Sequence, residues 1–380
     1  MVKILITNKN ILTSVFQAPG RINIIGEHTD YNEGLVLPTN LDLYTKVTAN
    51  ARDDDIIQVT SSNFGQTESF SINQIAPNNP PTWINYIQGV VAELRENNIP
   101  ITGADLVVSS DIPIGAGLSS SASLELAIAH ALLGIGKNKV AAQKLAQICQ
   151  NAETKYAGVN CGIMDQQSVA CGRKGQAMLL DCRTMESKYV EIPANLSLIV
   201  IDSGVTHNLP DGEYNSRTDE CRAAVKLLQA TYPAIQALRD APIKLIDQEK
   251  DQLGIIFYSR ARHVVTEIER TVAAFTALIK KDFRLLGSLI SASHASLRDD
   301  FDVSCPEIDQ LVQIADSCSG VYGTRMIGAG FGGCALSIAE VSVTKKIVDQ
   351  IRENYSKVLG SEPWIHVLKP ATPAMEVRHL

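Results

Sequence analysis

SSDIPIGAGLSSSASLELAIAHALL, residues 109–133, changes character twice. Its first residues close ADLVVSSDIP (104–113), an alternating apolar run that reads as a strand ending at Pro113. A tight turn follows, Gly115-Ala116-Gly117, then Leu118. Ser119, Ser120 and Ser121 open a run with apolar residues at helical spacing (119–134) that closes on Gly134, a residue suited to a C-cap. A strand, a glycine turn and a helix start in this order suit a phosphate. Glycines let backbone N–H groups approach a ligand, and a helix N-terminus favours an anion. The serine hydroxyls add donors and a candidate metal ligand. The plainer alternative is a capped helix with nothing bound.

Known phosphate devices are excluded. The pattern G-x-x-x-x-G-K-[ST] occurs nowhere, nor do H-R-D or D-F-G. Without a phosphate-binding lysine in the loop, the simplest neutralising device is Mg²⁺ with backbone amides. A second glycine cluster, RMIGAGFGGCALSI (325–338), satisfies G-x-G-x-x-G but runs into the strand-like CALSIAE. A dinucleotide fold needs a helix there and an acidic residue about 20 positions on. Close backbone packing, or a loop abutting the phosphate site, is the better reading.

Upstream lies APGRINIIGEHTDYNEGLVLP (18–38), where Glu27, His28, Thr29 and Asp30 crowd between Gly26 and Gly34. Downstream lies KYAGVNCGIMDQQSVACG (155–172), in which Asp165 follows Gly162 where a new helix would begin, so the helix dipole stabilises its ionised form. Taken alone, Asp165 and Glu153 read equally well as ordinary helix-end and surface charges.

Strand-like runs at 43–51, 55–62, 177–182, 196–204 and 335–340 mix with helical runs at 138–158, 213–232, 259–281, 282–300 and 343–355. There is no regular βαβ alternation, which implies an α+β fold. The 380 residues suggest two domains, 1–190 and 191–380, each α+β. A net charge of −7 argues against a nucleic-acid or anionic-membrane partner. The most apolar run, 124–136, is broken by His130 and is too short for the roughly 20 residues of a membrane span. Eight cysteines without a C-x-x-C pair read as reduced thiols. The N-terminus lacks a signal-peptide pattern, so a cytoplasmic protein is expected.

These motifs together resemble one family. GRINIIGEHTDYNEGLVLP is similar to the signature of galactokinases, PIGAGLSSSAS to the phosphate motif of the GHMP kinase superfamily, and MIGAGFGGCALSI to its third motif. WINYIQGV (83–90), CGIMDQ (161–166) and SHASLRDDFDVSCPEID (293–309) resemble galactokinases in particular. The resemblance implies a two-domain fold with the active site in the cleft between domains, and ATP-dependent phosphorylation of galactose at its anomeric hydroxyl. It implies Asp165 as catalytic carboxylate with Arg21 as its partner. The sugar would be bound by the Glu27-His28-Thr29-Asp30 cluster with Gly162 and Tyr214, and the ATP phosphates by Gly115 to Ser121. Mg²⁺ would be held by Ser121 and Glu153, with Trp83 and Ser61–Ser62 flanking the nucleoside. A monomer or weak homodimer is expected. Two departures stand out: INII replaces the commoner VNLI, and VTHNLPDGEYNSR, around Tyr214, is less basic than in many galactokinases. Two other readings compete: a kinase of a modified sugar such as N-acetylgalactosamine, and a non-catalytic galactose sensor. Sensors of that kind depart from the Ser-Ser-Ala step, which is intact here at 120–122.

Overall fold

The computed structural model describes residues 14–206 and 212–379. In the first half, β1 (Ser14–Asn23), β2 (Leu35–Val36), β3 (Pro38–Ala51), β4 (Ile56–Ser61) and β5 (Gln66–Ser71) precede α1 (Trp83–Glu96). Then come β6 (Ala104–Ser110), α2 (Ser120–Ile135), α3 (Ala142–Ala152), α4 (Met164–Cys171), β7 (Gln176–Asp181) and β8 (Ser187–Glu191). In the second half, β9 (Leu196–Thr206) leads to α5 (Gly212–Thr231), α6 (Ile243–Gln248), α7 (Lys250–Lys280), α8 (Phe283–Asp299) and α9 (Pro306–Asp316). The chain closes with β10 (Val321–Met326), β11 (Gly332–Glu340), α10 (Thr344–Leu359), β12 (Trp364–Val367) and β13 (Met375–His379).

Three sheets result, ordered β13-β1-β3-β6-β4-β5, β10-β11-β9-β12 and β2-β7-β8. Among the described residues only the β4–β6 pairing is parallel. The expected α+β class is therefore correct. The proposed split at residue 190 needs amendment, because β13 leaves the second half and pairs with β1 at the edge of the first sheet.

Alternation explains the second half of β3, where Thr45, Val47 and Ala49 are buried and Lys46 is exposed. Helix α2 is apolar on nearly all sides, as a helix sandwiched between a sheet and other helices must be. It packs on β1 and β3 and against α1 and α3. One correction concerns its end. Gly134 lies inside the helix, and Gly136 holds the C-cap. A Cβ on Gly134 would lie 2.3 Å from the Phe16 ring, so this glycine serves packing against β1. The expected 138–158 helix is α3 followed by a π turn, Glu153–Ala157, that closes on Gly158 at φ 76°. α7 begins earlier than the periodicity predicts and is interrupted at Gly254.

One hydrophobic cluster joins the halves. Ile22, Ile24 and Leu41 pack with Leu198, Leu286 and Ile338. Because this junction is a closed apolar core, the segments on either side of it are fixed relative to each other, and polar groups from both halves can converge on one cleft.

Candidate active site

Two cavities meet at the start of α2. The larger, about 290 Å³, is bordered by Arg21, His28, Asp30, Gly162, Asp165 and Tyr214. The smaller, about 160 Å³, has an apolar wall of Phe64, Trp83, Tyr86, Ile114 and Leu124. Ser120 and Ser121 border both.

The glycine-serine loop is folded differently from a simple cap. Ser119 takes the left-handed conformation, φ 58°, and its side chain does not cap α2. Its hydroxyl donates instead to Asp165 Oδ2 at 2.5 Å. The first N–H groups of α2 are thus left free of this serine at the junction of the cavities, where an anion is favoured. Other loop residues face inward. Leu118 is buried, and its carbonyl accepts from the Arg21 N–H. Ala116 is buried too, borders neither cavity, and packs beneath Gly333. The second glycine cluster abuts this loop as expected: a Cβ on Gly328 would stand 2.8 Å from Gly117 Cα. Two backbones meet there with no room for a side chain between them.

Asp165 is the second residue of α4. Arg21 Nε donates to its Oδ1 and Nη2 to its Oδ2, each at 2.8 Å. Arg21 Nη1 donates to the Gly117 carbonyl at 2.7 Å, so one guanidinium ties the catalytic candidate to the glycine-serine loop. Burial alone would lower the Arg21 pKa, but the charges of Asp165 and Glu27 hold it above its ordinary value. With Ser119, three of the roughly four acceptor positions of the carboxylate are filled, which leaves one for an incoming hydroxyl.

The polar cluster divides by role. Thr29 is a correction: it is fully buried, borders neither cavity, and its hydroxyl sits 2.9 Å from the Gly26 carbonyl and 2.8 Å from that of Leu35. It holds the turn. Glu27 borders the larger cavity, yet its carboxylate accepts from Arg325 Nη2 (3.0 Å), the Gly328 N–H (2.9 Å) and Asn23 Nδ2 (3.1 Å). It therefore clamps the third motif to the opening segment, and a buried ion pair of this kind is costly to break. His28 takes φ 63°. Its Nδ1 lies 2.8 Å from the Tyr31 hydroxyl, and its ring packs 4.6 Å from Phe301 and 5.8 Å from Tyr214. Burial pushes the imidazole down to about 3, so it is neutral. Asp30 presses on Gly162, where a Cβ would fall 2.1 Å from its Oδ2.

Glu153 opens the π turn and is buried. It accepts from Gln166 Nε2 at 2.6 Å and from the Ser121 hydroxyl. In the smaller cavity, Ser61 and Trp83 are wall residues; Trp83 stacks on Phe64 at 6.0 Å. Ser62 does not border it. All eight cysteines are free, as expected. No described helix is long and apolar enough to cross a membrane.

Comparison with known proteins agrees with this geometry. Residues 8–51 match the family model for the galactokinase galactose-binding signature. Residues 85–173 match the GHMP kinases N terminal domain and 274–357 the GHMP kinases C terminal model. A galactokinase of a Roseiflexus species is 42% identical over 355 residues, 93% of this chain and 90% of that protein. The chain belongs to the galactokinase family. A galactokinase of Chloroflexus aurantiacus is 43% identical over 90% of this chain and 88% of its own length. The solved structure of Lactococcus lactis galactokinase complexed with galactose superposes with a TM-score of 0.92 at 34% identity, covering 96% of this chain and 95% of that one. The mevalonate kinase of Methanococcus jannaschii, at 17% identity and a TM-score of 0.67, shares the fold.

Several residues of this galactokinase-family site escaped the sequence reading. Arg325, fully buried, donates to the carbonyls of Asn23, Ile24 and Met326 as well as to Glu27. Its position just before the third motif was the only local signal. Tyr31, Phe64 and Tyr86 carry no signal that separates them from core aromatics. The motif around Phe301 is explained by two buried arginines. Arg217 donates to the carbonyls of Phe301 (3.0 Å) and Asp302 (2.7 Å), and Arg260 to that of Asp300 (2.7 Å), which seats the Phe301 ring against His28.

Asp30 yields a prediction. Burial, then the charge of Asp165, raise its carboxyl to about 7. The folded state therefore holds a proton that the unfolded chain releases near its ordinary value, and stability is lost as pH rises from about 4 through about 7. Replacing Asp30 by Asn removes that penalty, which is at most about 4 kcal/mol. Thermal melts should show Asp30→Asn gaining over the parent at pH 8 and gaining nothing at pH 4. A gain independent of pH would contradict the burial argument.

Proposed function

We propose that this chain transfers the γ-phosphoryl group of ATP to the anomeric hydroxyl of galactose. The observation that carries this reading is the Asp165–Arg21 pair, set where the polar cavity meets the free end of α2. A sugar fits the polar cavity, since each hydroxyl both donates and accepts. Asp30, Tyr214 and the neutral His28 are the proposed readers, with Glu27 at the edge. A nucleoside fits the apolar cavity beside Trp83 and Phe64, and its phosphates reach Ser120 and Ser121 at the helix start.

In this arrangement the open acceptor position of Asp165 takes the hydrogen bond of the reacting hydroxyl. That bond orients the oxygen in line with the phosphoryl group, and Asp165 takes the proton as the new bond to phosphorus forms and the bond to the departing ADP breaks. Arg21 holds Asp165 by two bonds and retains further N–H donors for charge on the phosphoryl group in flight. The hydroxyl of Ser121 and the carboxylate of Glu153 fit a divalent metal. They are hard oxygen donors beside the glycine-serine loop, and the Ser121 hydroxyl already reaches the Glu153 carboxylate. Mg²⁺ usually takes one or two protein oxygens and completes its shell with phosphates and water. When bound there, Mg²⁺ neutralises phosphate charge.

The test is a sugar panel with ATP, read by ADP release and by the position phosphorylated. Galactose should be converted at C1, with kcat/KM at least about 10²-fold above glucose, because a site that pairs a hydroxyl leaves its partners unpaired when the hydroxyl is inverted. Comparable values for the two epimers would overturn the assignment.

A further inference from the structure

Helix α4 carries a second polar side chain directly after Asp165. Gln166 is completely buried, and its Nε2 donates to Glu153 Oε2 at 2.6 Å and to Glu125 Oε2 at 3.0 Å. Glu125 is also completely buried. It lies on α2 one turn beyond Ser121, so its side chain and that of Ser121 share a face of the helix. The carbonyl oxygen of Gln166 and Oε1 of Glu125 have no hydrogen-bond partner. Burying an amide and a carboxyl with unfilled positions is expensive, and neither residue borders a cavity or touches the reacting groups. The expense has a local return. Glu153 stands at the start of a π turn, a rare helical variant found frequently at functional sites.

We propose that Gln166, held by Glu125, is a positioning pair that fixes the Glu153 carboxylate beside Ser121 for a divalent cation. The two hydrogens of one amide group are shared between the two carboxyls, so Glu125 sets the plane of the Gln166 amide and Gln166 sets the orientation of Glu153. The same turn of α4 delivers Asp165 to Arg21. One rigid turn therefore registers the phosphoryl-accepting side of the cleft against the metal side. The inference rests on the reading of Glu153 as a metal ligand given above.

The test uses the full chain with Mn²⁺ as probe, in the presence of ADP, with binding followed by electron paramagnetic resonance. Gln166→Met keeps the shape and removes the donor; it should weaken Mn²⁺ binding about 10- to 100-fold, the usual effect of losing an outer partner of a ligand. Galactose affinity and the melting temperature are measured alongside. Galactose affinity should hold, because Gln166 does not border the sugar cavity. Glu125→Gln keeps an acceptor oxygen for the Gln166 amide and should restore Mn²⁺ affinity relative to Glu125→Met, which should behave like Gln166→Met. Unchanged Mn²⁺ affinity in a folded Gln166→Met variant, with Glu153→Ala impaired, would overturn the positioning role alone. Unchanged affinity in Glu153→Ala would overturn both the positioning role and the metal reading beneath it. Equal loss of Mn²⁺ and galactose affinity would mark Gln166 as a general structural residue and also overturn the proposal.

Discussion

Asp165→Asn is expected to fold, to bind ATP and galactose, and to lose about 10²- to 10⁴-fold in kcat, the range of a proton-accepting group. The structure gives the reason in detail. Both carboxylate oxygens accept hydrogen bonds, Oδ1 from Arg21 Nε and Oδ2 from Arg21 Nη2 and Ser119 Oγ. An amide offers one oxygen in place of two, so in either orientation its NH₂ group faces an Arg21 N–H. In neither pose is there an acceptor for the substrate proton with Arg21 still bidentate. Arg21→Lys should be impaired as well, because an ammonium cannot bridge both oxygens and the Gly117 carbonyl at once. Single-turnover phosphoryl transfer, with ligand binding measured in parallel, separates the outcomes. Near-normal chemistry in Asp165→Asn would refute the catalytic role. Lost galactose binding with an unchanged rate at saturation would make Asp165 a substrate-holding residue.

Gly162→Ala is expected to reduce kcat/KM for galactose by about 10²-fold or more while ATP binding persists. The added Cβ would stand 2.1 Å from Asp30 Oδ2 and 2.4 Å from its Cγ. Such contacts do not exist, so either Asp30 or the start of α4 must move. Asp30 is pinned on its other side by the turn that Thr29 holds through the carbonyls of Gly26 and Leu35. Displacing a positioned group by about 1 Å costs on the order of 10²-fold. If α4 moved instead, Asp165 would lose register with Arg21 and kcat would fall together with galactose affinity. The check is steady-state kinetics with direct galactose binding and a melting curve. A Gly162→Ala variant that binds galactose like the parent would show that the position of Asp30 is unimportant to the sugar site.

Asp30 presses on Gly162, and nothing near Gly162 in the sequence announces that contact. That marks the line between what was legible and what was not. Periodicity placed the helices and the strands that carry the site, because burial of one face is a local pattern that neighbouring residues enforce. The start of α4 just before Asp165 followed from the preceding glycine. The second glycine cluster was recognisable as a close-packed loop because the strand β11 after it excludes the alternative. Strand β13, by contrast, returns to β1 from the far end of the chain. An edge strand is chosen by which sheet has an open edge, and no short window contains that information.

The sequence by itself determined the family, the α+β class and many of the residues that border the two cavities, though not Phe64 or Tyr86. These depend on residue type and spacing, which the chain displays directly. Only the tertiary structure decided what each polar atom does there. Thr29 turns into the backbone, Glu27 is taken by Arg325 and Gly328, and Ser119 gives its hydroxyl to Asp165 and leaves the helix end open. Gln166 binds two acids that lie on two other helical segments. The physical reason is that a buried polar group must find a partner, and the partner is whichever donor or acceptor the packing brings within about 3 Å. For Glu27 and Arg325 that partner is 298 residues away along the chain, a distance over which residue type predicts the need for a partner and the fold alone selects it.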